Sequence, residues 1–272
     1  MHNASVMPME MVRSLLRNRA LAGALIRREV AGRYQGSMIG RVWAFFNPVF
    51  MLAIYTFVFS VVFKARWNVG SDSKTEFALV LFAGLMVFNL FAECVVRAPS
   101  IVVTNPNYVK RVVFPLEILS YVTLGAALFH WAMSFLVWLA FYVIFFGIPP
   151  LTSLLLPFVM LPLLMLALGV SWFLSSLGAY LRDMIQITSL ATSTLMFISP
   201  VFFPVSALPE EYRPVLYLNP LTHSIEQVRD VLFWGKIPNL ESLVMSYLIG
   251  CVVAWLGFAW FQKTREGFAD VV

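Results

Sequence analysis

The chain has 272 residues, of which 60% are hydrophobic and only 12% charged, and its formal net charge at pH 7 is +5. Soluble domains carry about 25% charged residues, so this composition, with a mean hydropathy of +0.83, excludes an ordinary soluble protein. It predicts a polytopic membrane protein with one domain and no room for a separate catalytic domain. The positive charge favours anionic lipid or phosphate as a partner, and not nucleic acid. Cys94 and Cys251 lie in apolar runs without CxxC spacing, so neither a disulfide nor a metal site is predicted.

The N-terminal segment from Met9 to Val30 is amphipathic on a helical wheel. Its apolar face carries Val12, Leu15, Leu16, Ala22, Ile26 and Val30, and its basic face carries Arg13, Arg17, Arg27 and Arg28. We expect a helix at the membrane interface, with a break near Asn18 or Gly23. Two roles remain open: a positive-inside anchor, or a gate helix that recognises an anionic head group. The glycines at 32, 36 and 40 predict an elbow where the chain turns into the membrane.

Six apolar stretches follow and predict transmembrane helices over residues 42–63, 77–97, 117–147, 151–180, 184–204 and 242–262. The first, from Val42 to Phe63, would extend about 33 Å at ~1.5 Å per residue, enough to cross a hydrocarbon core of ~30 Å. The fold class is therefore all-α integral membrane, with residues 1–272 forming one membrane domain. Residues 1–40 are expected to form the cytoplasmic gate helix and elbow.

The proline-rich region 205–240 predicts short helices that dip into the outer, periplasmic leaflet without crossing it. Pro220 suits the first helical position after an Asn219 cap, and Gly235 suits the stop. The helix between them has an apolar stripe, Leu221, Ile225, Val228 and Leu232, and an opposite polar face, Glu226, Arg229 and Asp230.

Charged residues are rare inside the predicted spans. Glu93 and Arg97 have i,i+4 spacing and are expected to pair at the inner end of the second span. For His130, a packed and hydrogen-bonded role is favoured over a functional one. Most lysines and arginines lie in the termini and the candidate inner loops, so the positive-inside rule places both termini in the cytoplasm.

Two absences bear on the energy source. The interiors of the third to sixth spans lack the carboxylates that ion-coupled carriers use. The chain also has no GxxxxGK[ST] loop, and so no ATP site of its own. Any uphill transport must therefore draw energy from a cytoplasmic partner. The inner connection at residues 104–113, where Thr104, Asn105 and Pro106 offer a helix start, is the best docking element.

Four segments together carry a family resemblance: REVAGRYQGSMIGRVWAFFNPVF, NPNYVKRVVFPLEIL, YLRDMIQI and NPLTHSIEQVRDVLFWG. In this order, the chain resembles the membrane-spanning permease of ABC-type polysaccharide exporters, and most of all the branch that exports O-antigen. The resemblance implies a homodimer in the bacterial inner membrane, bound to two copies of an ATP-binding subunit. It implies a polymer carried on undecaprenyl diphosphate as the substrate. The chain would be a transport subunit and not an enzyme, with no cofactor of its own, because ATP and Mg²⁺ belong to the partner.

The resemblance also assigns residues. It makes Met9 to Val30 the gate helix, and it makes residues 104–113 the coupling helix, which would contact the ATPase through Asn105, Tyr108, Val109, Lys110 and Arg111. It makes the first span a sugar channel lined by Trp43, Phe46, Tyr55 and Phe59. Because guanidinium binds phosphate bidentately, the expected contacts to the lipid diphosphate are Arg27, Arg28, Arg33 and Arg41.

Other functions remain open at this point. The exported polymer could be a capsular polysaccharide or a teichoic acid. A membrane glycosyltransferase or acyltransferase could use His223, Glu226 and Asp230, which share one helical face, as acid–base groups. A passive channel is disfavoured because no ring-forming polar stripe runs through any span.

Overall fold

The computed structural model describes residues 7–35, 40–62, 67, 74–110 and 114–271. Throughout these ranges the secondary structure is helical, with no strand. The helices are α1 Pro8–Arg17, α2 Arg19–Arg33, α3 Trp43–Tyr55, α4 Lys74–Arg97, α5 Pro106–Val109, α6 Ile118–Phe146, α7 Leu156–Tyr180, α8 Met184–Ile198, α9 Arg213–Tyr217, α10 Pro220–Arg229, α11 Leu240–Thr264 and α12 Phe268–Val271. Helix α3 continues as a π-helix over Thr56–Val62, and α10 continues likewise over Asp230–Trp234.

Four helical segments in the described part of the chain are long and apolar enough to cross a membrane. They are Thr75–Ser100, Ile118–Phe146, Leu151–Tyr180 and Leu240–Val271. Two further apolar helices, Trp43–Phe59 and Met184–Ile198, are shorter. The all-helical membrane class is confirmed, with four candidate spans in the described residues, and the count of six spans stays a prediction. The helix predicted over 184–204 ends at Ile198 because Ser199 precedes a proline and adopts extended backbone.

The N-terminal segment forms two helices, and the predicted break falls at Asn18. There the backbone leaves helical geometry, and the Asn18 side chain donates a hydrogen bond to the Ser14 carbonyl at 2.9 Å. Two contacts hold α1 against the start of α6: Ser14 Oγ donates to Glu117 at 2.7 Å, and the Tyr121 hydroxyl donates to the Met11 carbonyl at 2.9 Å. The amphipathic pair is therefore docked on the helical bundle.

Helix α4 lies at the centre of the bundle and packs against α6, α7, α8 and α10. Its central residues are apolar on every side, which is the pattern of a buried helix. Leu79, Val80 and Leu81 are fully buried. The Trp138 indole of α6 donates to the Leu79 carbonyl at 3.0 Å, so even this polar group is satisfied inside the core.

Helices α7 and α11 approach closely through glycines. A Cβ atom on Gly257 would lie 2.0 Å from the Gly169 carbonyl oxygen, and one on Gly250 would lie 2.7 Å from the Pro162 carbonyl oxygen. Small residues at such spacing let two membrane helices bring their backbones into contact. This contact fixes the last long helix to the bundle.

In the region after α8, helix α10 and its π-helical continuation begin and end at the residues predicted from the sequence. The Asn219 side chain accepts a hydrogen bond from the Leu221 N–H at 3.0 Å, and Gly235 ends the helix with a φ of 63°. The four stripe residues, Leu221, Ile225, Val228 and Leu232, are fully buried.

The placement of Arg229 on the polar face was wrong. Its side chain is 3% exposed and donates to the carbonyls of Val80 at 2.9 Å, Pro200 at 2.6 Å and Val201 at 2.7 Å. These carbonyls lie beside the end of α8 and within α4, so a buried cation ties α10 to both. The guanidinium also lies over the ring of Trp67, 4.2 Å from its centre.

Candidate substrate cavity and coupling surface

A cavity of about 650 Å³ opens between α3, α4 and α6. Its wall combines aromatic rings, Trp43, Tyr55 and Trp131, with polar side chains, Asn47, Asn89 and Ser134. A volume of this order is typical of small-molecule sites. Aromatic faces and amide groups together suit a carbohydrate, because rings contact its C–H faces and amides bond to its hydroxyls.

A charged cluster stands at one end of this cavity, centred on the Glu93 carboxylate. Arg33 Nη1 lies 2.5 Å from Glu93 Oε1, Arg97 Nη1 lies 3.5 Å from the same oxygen, and His130 Nδ1 lies 2.9 Å from Oε2. The predicted Glu93–Arg97 pair is therefore confirmed. An ionised carboxylate only accepts hydrogen bonds, so the consistent tautomer of His130 carries its proton on Nδ1 and donates it to Glu93. The His130 side chain is packed and hydrogen-bonded, as predicted.

The four predicted phosphate ligands separate in space. Arg33 lines the large cavity, and with Arg28 it also lines an adjoining groove of about 720 Å³ on the side of α2. Arg27 is exposed on α2. The backbone of Arg41 lies in a 3₁₀ turn at Gly40–Val42, and its side chain is outside what the structure describes. Arg28 and Arg33 are thus the two that one continuous surface brings together.

The predicted aromatic residues also divide into two groups. Trp43 and Tyr55 line the cavity. Phe46 is 55% exposed and meets Trp43 edge-on, with ring centres 6.5 Å apart, away from the cavity wall. Phe59 stacks on Phe202 with centres 5.3 Å apart, so its face is taken up by packing within the chain.

The predicted coupling segment contains one described helical turn, α5. The Tyr108 ring stacks on Phe114 with centres 4.3 Å apart and planes 11° apart, and Arg28 lies over it at 5.9 Å. Val109 is buried in the core. Lys110 is exposed, and the Asn105 side chain donates to the Ile101 carbonyl at 2.9 Å. Arg111 lies outside the described residues.

A chain of polar contacts joins this turn to the cavity. Arg28 covers Tyr108, its neighbour Glu29 forms an ion pair with Arg97, and Arg97 contacts Glu93. A small cavity of about 100 Å³ lies along the same path, between α2 and the turn. The two predicted sites are therefore in physical contact through four side chains.

Sequence reasoning missed one feature of α8. This helix is exposed almost all round, and Gln186, Ser189 and Ser193 form a polar stripe at i, i+3 and i+7 on its exposed surface. The sequence argument against a channel, that no ring-forming polar stripe runs through any span, did not single out these three residues. The i, i+3 and i+7 spacing of these polar residues could have indicated the stripe, but the surrounding leucines and isoleucines make the segment read as uniformly apolar.

The comparisons with known proteins decide the family. The family model described as "ABC-2 type transporter" matches residues 21–233, well over half of the chain. The chain belongs to the ABC-2 type transporter family. It is 26% identical over 264 residues to the O-antigen export system permease protein RfbA of Myxococcus xanthus, covering 96% of this chain and 99% of that protein.

Two further relatives extend the likeness. The O-antigen export system permease protein RfbA of Klebsiella pneumoniae is 24% identical over 250 residues, covering 91% of this chain and 93% of the relative. The polysialic acid transport protein KpsM of Escherichia coli is 26% identical over 248 residues, covering 89% and 92%. Membership makes the chain a membrane transport component and not an enzyme, and it implies a partner subunit that binds ATP. The transferase alternative built on His223, Glu226 and Asp230 is set aside on that ground.

Proposed function

We propose that this chain is the transmembrane subunit of an ATP-driven exporter in the bacterial inner membrane. Its substrate is a lipid-linked, O-antigen-like polysaccharide carried on undecaprenyl diphosphate. The observation that carries this proposal is the cavity between α3, α4 and α6, whose lining includes Arg33 together with Trp43 and Tyr55. One end offers a cation to a diphosphate, and the wall offers aromatic faces to the first sugars.

Two of the other proposed diphosphate contacts, Arg27 and Arg28, lie on α2. Arg28 lines the groove beside Arg33, and Arg27 is exposed. With Arg41 at the elbow, they surround the route from the inner leaflet into the cavity. A charge-assisted hydrogen bond to a phosphate is worth roughly 1.5–3 kcal/mol, more than the ~1 kcal/mol by which anionic lipid attracts a basic residue.

A homodimer completes the pathway in this proposal. The Ser193 hydroxyl on α8 donates to the Ser189 carbonyl at 2.9 Å, but the exposed Gln186 amide in the same stripe would be costly against lipid, because bilayer hydrocarbon offers no hydrogen-bond partners. The exposed face of α3 adds Phe46 and Phe50. A second copy packed across α3 and α8 would enclose both surfaces around a path for the polymer.

Orientation and span number belong to the same proposal. Trp43–Phe59 and Met184–Ile198 would complete six spans, and the region between α8 and α11 would form the outer re-entrant part. Reporter fusions after residues 20, 108 and 270 should report the cytoplasm, and fusions after residues 70 and 215 the periplasm. A cytoplasmic signal from the fusion after residue 215 would contradict both the outer location of this region and the count of six spans.

Two copies of an ATP-binding subunit would dock on the turn around α5, where Lys110 is exposed. Capsular polysaccharide or teichoic acid is the alternative substrate, favoured by the relative named for polysialic acid transport. The chemistry of the cavity is the same for any glycan on a diphosphate lipid.

The proposal is tested by deleting the gene in a producing strain. Lipid-linked polysaccharide should then accumulate where an added glycosidase digests it only after the inner membrane is permeabilised. Restoring the chain should return the polymer to the outside. Undiminished surface polysaccharide in the deletion strain would contradict the proposal. A co-purifying ATP-binding subunit is the accompanying biochemical expectation.

A further inference from the structure

We propose that Glu93 is the built-in anionic ligand of Arg33, and that an entering diphosphate replaces it there. The inference rests on the proposed function, since it takes a diphosphate-linked glycan as the substrate. It makes Glu93 a positioning residue that sets the affinity of Arg33 for anions, a role that neither the sequence motifs nor the family assigns.

The geometry makes Arg33 the partner that moves. The Glu93 side chain is only 16% exposed, whereas Arg33 is 53% exposed and reaches the rim of the cavity. Their contact at 2.5 Å occupies the part of the guanidinium that faces Glu93. A diphosphate bound on that side of the Arg33 guanidinium would lie against the Glu93 carboxylate. The diphosphate and the carboxylate therefore cannot occupy the same N–H groups of Arg33 at the same time.

Glu93 keeps partners when Arg33 leaves it. His130 Nδ1 donates to the carboxylate at 2.9 Å, and Arg97 Nη1 lies 3.5 Å away. Leaving a buried charge without a partner is strongly unfavourable, and these two residues avoid that cost. When a diphosphate takes the place of Glu93 on Arg33, one ion pair of Arg33 replaces another, and the Glu93 carboxylate still has hydrogen-bond and charge partners.

Competition from Glu93 raises the intrinsic affinity that an anion must have in order to occupy Arg33. Phospholipids of the inner leaflet offer one phosphate with a single charge, whereas a diphosphate offers more charge and a second phosphate for bidentate contact. Competition from Glu93 lowers the affinity of both anions by the same factor, so the weaker anion leaves Arg33 largely unoccupied while the stronger anion still binds.

The test uses the complete complex with its ATP-binding partner in lipid nanodiscs, and two probes, undecaprenyl diphosphate and undecaprenyl monophosphate. Glu93→Gln removes the charge and keeps an acceptor of similar size. We expect both lipids to bind about two- to fivefold tighter, the range that one partly exposed ion pair supplies. Both lipids should gain by the same factor, because removing one competitor increases the available fraction of Arg33 equally for each ligand.

Three further variants make the result specific. In an Arg33→Gln background, Glu93→Gln should no longer change affinity, as a double-mutant cycle requires of coupled groups. Glu117→Gln is the matched control, because this carboxylate is also buried and faces its own arginine, Arg265, at 3.5 Å. If Glu93→Gln fails to assemble, Glu93→Asp, which draws the charge back from Arg33, should produce a smaller gain in the same direction.

Unchanged or weaker binding by an assembled Glu93→Gln complex would overturn the inference, as would a gain that persists without Arg33. If the wild type binds the diphosphate lipid and Arg33→Gln loses it, those results leave the proposed function standing. A wild-type complex that binds neither lipid would overturn both.

Discussion

The guanidinium of Arg28 lies 5.9 Å above the centre of the Tyr108 ring, so the N-terminal helix pair touches the α5 turn directly. The next residue along α2, Glu29, forms an ion pair with Arg97, which in turn contacts Glu93 at the cavity. We infer that a movement of α5, where the ATP-binding subunit is proposed to dock, reaches the cavity through α2. Physical contact of this kind is open to test by mutation.

Tyr108→Ala is expected to uncouple ATP hydrolysis from export. It removes the stack on Phe114 and the contact with Arg28, each worth about 0.5–1 kcal/mol. Membrane insertion and assembly should persist, while polymer exported per ATP hydrolysed falls. Tyr108→Phe keeps the ring and should behave as the parent. Export by Tyr108→Ala at the parental ratio would show that the turn does not couple the two subunits.

The glycine contact between α7 and α11 is predicted to be the most sensitive packing point of the bundle. A methyl group on Gly257 would meet the backbone carbonyl of Gly169, which cannot rotate away. Overpacking of this kind costs about 1–3 kcal/mol, so Gly257→Ala should lower the unfolding midpoint in detergent. Gly32→Ala is the control, because no atom lies within 4 Å of its added methyl group. Equal midpoints for the two variants would contradict the packing described here.

Glu226 is predicted to make stability depend on pH. Burial raises its pKa above the ordinary 4.5, although a hydrogen bond from Tyr217 and the charge of Arg229 act in the opposite direction. A carboxyl whose pKa is higher in the folded state stabilises the fold below its unfolded pKa, and that contribution is lost as pH rises through the folded value. Glu226→Gln should therefore match the parent near pH 4 and be more stable at pH 7.5.

Burial also raises the pKa of Asp230, whose own pH dependence is present in both proteins, whereas its repulsion of Glu226 is part of the effect being measured. Glu210→Gln is the matched control, because that side chain is 89% exposed. If Glu226→Gln follows the parent at every pH between 4 and 7.5, the carboxylate is solvated and its assigned burial is wrong.

Local patterns predicted the local features of this fold. The Asn219–Pro220 start, the Gly235 stop and the break at Asn18 each follow from the preferences of one or two residues. The helical membrane class follows from composition. Local residue preferences and overall composition can both be read without knowing which distant residues are in contact.

Distant contacts escaped prediction for a physical reason. Arg229 looked solvated because its helical face also holds Glu226 and Asp230, but its three acceptors lie on α4 and beyond α8. The contact between Arg33 and Glu93 joins residues 60 positions apart. Helical periodicity reports which residues share a face, and it contains no information on what that face meets.

The central claim is that the arginines of α2 and the elbow bind the diphosphate of a lipid-linked glycan during ATP-driven export. Replacing Arg27, Arg28, Arg33 and Arg41 together by lysine keeps the positive charge that orients the chain but removes the bidentate fork. The decisive measurement is substrate-stimulated ATP hydrolysis, with polymer translocation, by the complex in proteoliposomes. We predict normal assembly and basal hydrolysis with both stimulated quantities strongly reduced. Stimulation and translocation equal to the wild type would show that these arginines are topology anchors and that the diphosphate binds elsewhere.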